Sequence, residues 1–292
     1  MTDPSRVWLA VVWMLGATLS FSTMAVAGRE ATRELDTFEL MLFRSLIGIV
    51  VVSVAIALFG SRRDLSTDRM GLHVGRNIAH FTGQNLWFFA ISLAPLAQVI
   101  SLEFTSPLWV ALMAPLLLGE RLTLLRLIAI GLGIAGIVIV ADPGRLELTP
   151  GVVAAALSAI AFALTTIATK RLTRTTSTLN ILFWLTIMQA LFGLVTAGYD
   201  GEIALPSREM LLPVLAVSLA GLSAHFCLTQ AMQIAPASVV APLDFLRLPL
   251  IAVVGLVLYN EPLEQAVFLG GAIIIVANLI NLRADGRRQN VT

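Results

Sequence analysis

Charged residues are scarce in this chain, since only 13% of its 292 residues are Asp, Glu, Lys or Arg. A soluble domain carries roughly a quarter charged residues, so the deficit excludes an ordinary soluble protein. Cys227 is the one cysteine, which excludes an intrachain disulfide and indicates a small packing residue. The formal net charge is only +1, so no overall electrostatic field indicates a nucleic-acid partner, and none is expected.

Apolar residues are abundant instead. Hydrophobic residues make up 58% of the sequence, and the mean hydropathy is +0.89. They recur in runs of about 20 residues, which as helices span a bilayer core of roughly 30 Å. We therefore predict an all-α polytopic membrane protein with ten transmembrane helices, surrounded by the lipid bilayer. The predicted spans are residues 7–28, 37–59, 71–93, 96–118, 122–141, 149–169, 179–197, 210–234, 237–259 and 264–282.

Basic residues are distributed unevenly between the predicted loops. If the N-terminus is cytoplasmic, the outer loops hold only Arg29, Arg33, Arg145 and Arg208 of the 19 basic residues. Positive charge favours the cytoplasmic side of membrane proteins, so both termini are predicted to be cytoplasmic. The first span is too long for the apolar core of a signal peptide, and we expect it to be retained.

The two halves of the chain resemble each other at a constant offset of 141 residues. At this offset Phe21 aligns with Phe162, and Glu120 aligns with Glu261. Each half contains five spans, an odd number, so the second half must enter the membrane in the opposite orientation. Such inverted repeats are typical of secondary transporters. The predicted units are residues 1–141 and 142–292.

Ionisable residues inside the spans are functional candidates, because a charge near the bilayer centre costs several kcal/mol. Glu103 and Arg44 both lie about 10 Å below the outer surface, from the helical rise per residue, and we expect them to form an ion pair. Asp244, the repeat mate of Glu103, lies at a similar depth from the cytoplasmic side, with Arg247 on the same helix face. The sequence thus predicts two polar clusters, one towards each mouth. These charges either form gates on a substrate path or only lock helices together.

The third span carries a polar stripe. Asn77, His80 and Gln84 recur at intervals of three and four residues, and Trp87 continues nearly the same face. We predict that this face lines a cavity. Ordinary helix packing is the alternative, above all for the two histidines, His80 and His225, and for Trp109 in the fourth span. The predicted substrate-binding residues are Asn77, His80, Gln84, Trp87, Glu103, Trp109, His225 and Asp244; the predicted gate or ion-pair residues are Arg44, Glu103, Asp244 and Arg247.

Two prolines predict kinks in the fourth and ninth spans. Pro107 and Pro249 cannot donate the usual helical hydrogen bond, so the carbonyls of Glu103 and Phe245 are freed. Freed carbonyls at membrane depth are tolerated where other groups or cavity water satisfy them. We therefore expect kinks at symmetry-related places near the bilayer middle.

Motifs typical of enzymes are weak in this sequence. GLGIAG, residues 131–136, matches a dinucleotide-binding pattern, but it lies inside a predicted span, where glycines allow close helix packing. Ser223 and His225 are two residues apart on a helix, so their side chains point away from each other. No Cys, His and carboxylate spacing indicates a metal site. We expect no enzymatic activity, no cofactor and no metal.

Several linked features resemble the EamA domain of the drug/metabolite transporter superfamily. The segment APLAQVISLEFTSPLWVALMAPLLLGERLTLLRLIAIGLGIAGIVIV, beginning at Ala94, is similar to the second part of that domain. A second copy begins at Ala235 and continues as NEPLEQAVFLGGAIIIVANLI, and FELMLFR, ending in Arg44, is similar to the family's second helix. The resemblance implies two inverted five-helix repeats around a cavity formed by the third, fourth, eighth and ninth spans.

The same resemblance implies a secondary transporter in the bacterial cytoplasmic membrane that exports small metabolites by alternating access, without ATP hydrolysis. Amino acids are the expected substrates, as for exporters of the YddG type. Export of other metabolites or drugs, and a membrane component that binds or regulates without transport, are the alternatives. Coupling to protons and uncoupled facilitated diffusion fit the sequence equally well.

Overall fold

The computed structural model describes residues 4–59, 65–118, 123–141, 149–173, 175–234 and 243–289. Within these ranges every regular element is helical, and no strand is present. The helices longer than one turn are α1 (Pro4–Ala31), α2 (Thr37–Phe59), α3 (Met70–Leu93), α4 (Leu96–Glu103), α5 (Ser106–Leu118), α6 (Leu124–Ala141), α7 (Pro150–Leu172), α8 (Thr178–Ala197), α9 (Leu211–Ile234), α10 (Arg247–Tyr259) and α11 (Gln265–Gln289).

Eight segments of the described chain are long and apolar enough to cross a membrane, including Leu96–Leu117, which combines most of α4 and α5. Helix α10 is apolar but shorter. Large apolar side chains such as Leu116, Val195 and Val257 are exposed on the outer surface, as expected of helices that face lipid. The protein is therefore an all-α polytopic membrane protein, as its composition predicts.

Two helices are interrupted where the prolines predict kinks. Helix α4 ends at Glu103, and Phe104 and Thr105 form a turn before α5 begins. The equivalent pair 141 residues later, Phe245 and Leu246, forms a turn before α10. The Asn278 side chain donates a 2.7 Å hydrogen bond to the Phe104 carbonyl. A carbonyl at the break is thereby satisfied, as an interruption at membrane depth requires.

The helices pack in pairs. Helix α1 packs against α9, α3 against α7, α2 against α8, and α6 against α11. At the 141-residue offset α1 corresponds to α7, and α3 corresponds to α9. The pair of α1 and α9 therefore corresponds to the pair of α7 and α3, so the same set of pairs results when the first five predicted spans are exchanged for the last five. Residue 142, where the second unit was predicted to begin, lies outside the described residues, as do Glu120, Ala235 and Pro236. The two-unit division stays a prediction.

The glycine-rich run at residues 131–136 lies within α6, where it brings two helices close together. A Cβ atom on Gly136 would lie 2.9 Å from the carbonyl oxygen of Gly270 on α11. A Cβ atom on Gly270 would in turn lie 2.7 Å from the carbonyl oxygen of Gly136. Only glycine permits this approach, so Gly136 at the end of the run has the packing role expected of it.

Candidate substrate cavity

A cavity with a volume of about 390 Å³ lies beside the two helix breaks. This volume falls within the usual range for small-molecule sites, roughly 300–1,000 Å³. Much of the wall is aromatic and offers flat apolar surfaces. The rings come from Phe21, Trp87, Phe104, Phe162 and Phe245.

Most of the predicted substrate-binding residues line this cavity. They are His80, Gln84, Trp87, Glu103, His225 and Asp244, and the predicted gate residue Arg247 joins them. The structure therefore brings together side chains from α3, α4, α9 and the segment around the second break. Their contact with a substrate stays a prediction.

Arg247 is the centre of the charged part of the wall, and only 3% of its side chain is exposed. Its Nη2 atom donates to Glu103 Oε1 at 2.7 Å and lies 3.8 Å from Asp244 Oδ2. The guanidinium carbon also lies over the rings of Phe21 and Phe104, at 4.9 and 5.0 Å from their centroids. Trp87 Nε1 donates to the second Glu103 oxygen at 2.8 Å. Charge-assisted hydrogen bonds and cation–π contacts thus hold Glu103 and Arg247 in place.

The predicted ion pair between Arg44 and Glu103 is wrong. Arg44 donates instead to Gln84 Oε1, while Glu103 pairs with Arg247. The two predicted clusters are consequently one, because Glu103 and Asp244 approach the same guanidinium. Depth along a helix does not show which neighbour a side chain faces, and the two breaks end the regular rise on which that estimate depends.

Two predicted residues lie elsewhere. Asn77 is fully buried, and its side chain donates to the His73 carbonyl at 2.9 Å while Gln189 of α8 donates to the Asn77 carbonyl. It lies about one turn before His80, where α8 covers this face of α3. Trp109 lies beside α6 in a separate crevice of about 10 Å³ with Gly133. Because α5 begins after the break, periodicity measured from α4 does not predict the direction of Trp109.

A second polar group, not predicted from the sequence, joins helices at one end of the bundle. Arg29, at the end of α1, donates to Glu261 and to the carbonyls of Ile91 and Ala94. The other oxygen of Glu261 accepts a 2.9 Å hydrogen bond from the Leu96 amide at the start of α4. These contacts join the ends of α1 and α3 to the segment after α10. We call Arg29 and Glu261 the end latch.

Tyr259 supports the end latch from α10. Its ring lies 4.8 Å from the Arg29 guanidinium, and its hydroxyl donates to Glu30 at 2.8 Å. The sequence does hold one signal for this site, namely the alignment of Glu261 with Glu120 in the repeat. It does not show that Arg29 reaches across the bundle.

The cavity extends away from the end latch. Helix α11 runs alongside α4 and the first break. Gly271 lies against Ser101 of α4, and Asn278, two turns later in α11, bonds the Phe104 carbonyl at the break. Leu282, one turn beyond Asn278, still lines the cavity. The lining therefore continues from the helix breaks towards the end of the bundle opposite the latch.

A helical bundle with broken helices around a ligand-sized cavity is typical of membrane transporters. The chain belongs to the EamA-like transporter family, whose sequence profile matches residues 8–141 and 149–283. The resemblance to the drug/metabolite transporter superfamily is thereby confirmed, and the protein is a transporter.

Relatives of known name extend over nearly the whole chain. An S-adenosylmethionine uptake transporter of Rickettsia prowazekii (strain Madrid E) is 26% identical over 291 residues, which cover 99% of this chain and 98% of the relative. A riboflavin transporter of Brucella anthropi is 28% identical over 277 residues, which cover 93% of this chain and 98% of the relative. A solved crystal structure shares the fold, with a TM-score of 0.64, 22% identity, and coverage of 93% of this chain and 96% of the other.

Proposed function

We propose that this protein is a secondary carrier that moves small ring-bearing metabolites across the membrane by alternating access. The observation that carries the proposal is the central cavity, whose wall uses residues from equivalent positions of both halves. Such pairs are Glu103 with Asp244 and Gln84 with His225. A site between inverted repeats, beside broken helices, is the arrangement in which one half can rock against the other around bound substrate.

The end latch and the direction of the cavity support an assignment of the state. The bundle is tied at the end that holds Arg29 and Glu261, while the cavity extends towards the opposite end. With both termini in the cytoplasm, as the loop charges predict, the latch lies on the outer side of the bacterial cytoplasmic membrane. The described state is then inward-facing, and transport requires the latch to open.

The relatives support a substrate that is larger than a typical amino acid. They are named for S-adenosylmethionine uptake and riboflavin transport, so they give amino-acid export no support. Both of those compounds join a heteroaromatic ring system to a polar chain. The aromatic rings of the cavity can stack on such a ring, while its polar side chains fix the polar chain of the substrate. In this proposal the concentration gradient of the substrate sets the direction of transport.

Counterflow into liposomes tests the proposal. Purified protein is reconstituted with unlabelled substrate inside, and uptake of radiolabelled S-adenosylmethionine, riboflavin or a panel of amino acids is measured. We expect transient accumulation of at least one ring-bearing metabolite over protein-free liposomes. Accumulation of none of them would contradict the proposal. Counterflow that is unchanged by an imposed pH gradient would exclude proton coupling and favour facilitated diffusion.

A further inference from the structure

Arg44 lies in the membrane part of α2, and no carboxylate among the described residues pairs with it. Among the described residues its hydrogen bonds are to Gln84 Oε1 and, weakly at 3.7 Å, to Met41 Sδ. No described carboxylate lies within ion-pair distance of it. A charge inside the membrane is costly, and such residues usually face a partner or a polar cavity.

The Arg44 side chain adjoins the substrate cavity. It lines a small polar pocket of about 30 Å³ together with His80 and Gln189, and His80 lines the large cavity as well. Gln84, the acceptor of the Arg44 hydrogen bond, is itself part of the large cavity wall. The Nδ1 atom of His80 is buried without a hydrogen-bond partner. We call Arg44, His80 and Gln84 the anion subsite.

This subsite belongs to one half of the chain only. The repeat mate of His80 is Gly221, and a Cβ atom there would lie 2.8 Å from Arg44 Nη2. The repeat mate of Arg44 is Leu185, which lines the same small pocket. The packing of the bundle therefore does not require a cation at this place, since the equivalent place in the other half has an apolar residue.

Negative charge is in excess in the wall of the large cavity. Glu103 and Asp244 both face Arg247, so two carboxylates share one guanidinium. Glu103 holds the closer position, and Asp244 is left with a distant pairing of 3.8 Å. The Oδ1 atom of Asp244 is buried without a hydrogen-bond partner. We call Glu103 and Asp244 the cation subsite.

Three ring contacts lead from one subsite to the other. The Arg247 guanidinium lies 4.9 Å from the Phe21 centroid, Phe21 contacts His225 edge to face at 5.5 Å, and His225 lies 6.4 Å from His80. All four of these residues line the one cavity. A metabolite that fills it therefore lies against the cation subsite and against His80 and Gln84 of the anion subsite, and Arg44 lies directly behind Gln84, to which it donates a hydrogen bond.

We infer that the substrate is a ring-bearing zwitterion, with a carboxylate at the anion subsite and a cationic group at the cation subsite. This inference rests on the proposed function. The carboxylate would supply the counter-charge that no described residue gives Arg44, and the cationic group would supply the hydrogen-bond partner that Asp244 Oδ1 lacks. Charge-assisted hydrogen bonds in a site of low dielectric are the strongest polar contacts available for such discrimination.

Three probes separate the two subsites in equilibrium binding to the purified protein. S-adenosylmethionine carries a carboxylate and cationic groups, its decarboxylated analogue keeps only the cationic groups, and riboflavin lacks both. Arg44→Gln should weaken binding of S-adenosylmethionine by about tenfold or more, and should change binding of the decarboxylated analogue by less than about twofold. Arg76→Gln is the matched control, because Arg76 is buried, lines neither cavity, and donates hydrogen bonds to Thr169 and Asn77 within the described part of the chain.

The converse variant is Asp244→Asn. It should weaken both cationic probes by about tenfold and leave riboflavin binding unchanged, while Arg44→Lys should keep the preference for the carboxylate. Elution as a single species on size exclusion establishes that each variant is folded. This inference alone would be overturned if Arg44→Gln weakened binding of both cationic probes equally. It would also be overturned if the wild-type protein bound riboflavin but not S-adenosylmethionine. Failure of the wild type to bind any of the three would overturn the proposed function with it.

Discussion

Phe104 and Phe245 hold the same position in the two halves of the chain, and their rings meet edge to face with centroids 5.2 Å apart. Both residues lie at the helix breaks, and both line the cavity. If a two-fold axis relates the halves, two equivalent residues in contact must lie beside it. The proposed axis therefore passes between these rings, and the cavity lies where the halves would move against each other.

This aromatic pair should couple the two breaks. Edge-to-face pairs contribute about 0.5–1.5 kcal/mol beyond their buried area, so Phe104→Ala and Phe245→Ala should be non-additive by that amount in unfolding free energy. Thermal and denaturant unfolding of the two single variants and the double variant in detergent measures the coupling. Additive losses would show that the contact contributes nothing of its own.

The two carboxylates that face Arg247 should differ in their contribution to stability. Glu103→Gln removes the 2.7 Å charged contact and leaves a buried guanidinium with only a distant partner, for an expected loss of about 2–3 kcal/mol. Asp244→Asn removes a 3.8 Å contact and should cost less than about 1 kcal/mol. Melting temperatures of both variants check the order, and a larger loss for Asp244→Asn would contradict it.

Patterns along single helices predicted much of this molecule. Apolar runs located the helices, and prolines located both breaks, because these properties depend on residues close in the sequence. The stripe on α3 predicted His80 and Gln84 as cavity residues for the same reason. It failed at Asn77, since helix periodicity defines a face but not how far a neighbouring helix covers it.

Contacts between helices were harder to predict from the sequence. Arg247 rather than Arg44 pairs with Glu103, and nothing in the spacing of those residues decides between them. The aromatic wall was also missed, because Phe21 and Phe162 look like ordinary packing residues in an apolar chain. Their repeat alignment was the one available signal. Such contacts depend on the relative rotation of helices, which local patterns do not define.

The approach of α6 to α11 should be sensitive to single methyl groups. A Cβ atom on Gly136 would meet Ile274 Cγ1 at 2.6 Å and the Gly270 carbonyl at 2.9 Å, so Gly136→Ala should cost about 1–3 kcal/mol in unfolding free energy. Gly131→Ala is the control, because a Cβ atom there meets nothing within 4 Å. Thermal unfolding compares the two, and equal melting temperatures would show that the helices separate without cost.

The end latch should control access to the cavity from its own side. Replacement of Cys227 by alanine removes the only cysteine and deletes one atom, Sγ, which packs against Gly16. A reporter, Leu228→Cys, then places one thiol in the cavity wall. The assay adds a membrane-impermeant maleimide on the latch side of liposomes with known protein orientation. Arg29→Gln should make labelling of this thiol severalfold faster, because the guanidinium bonds to Glu261, Ile91 and Ala94 are lost.

Arg33→Gln is the matched control for the latch. Arg33 lies just after the end of α1 and pairs with Glu30 at 3.0 Å, but its side chain is 66% exposed, and such surface pairs contribute little. Glu261→Gln should behave like Arg29→Gln, since it removes the same pair from the other side. Labelling from the latch side that rises equally in all three variants would show a general loosening of this end. Labelling that rises in none would show that other contacts keep the latch end closed.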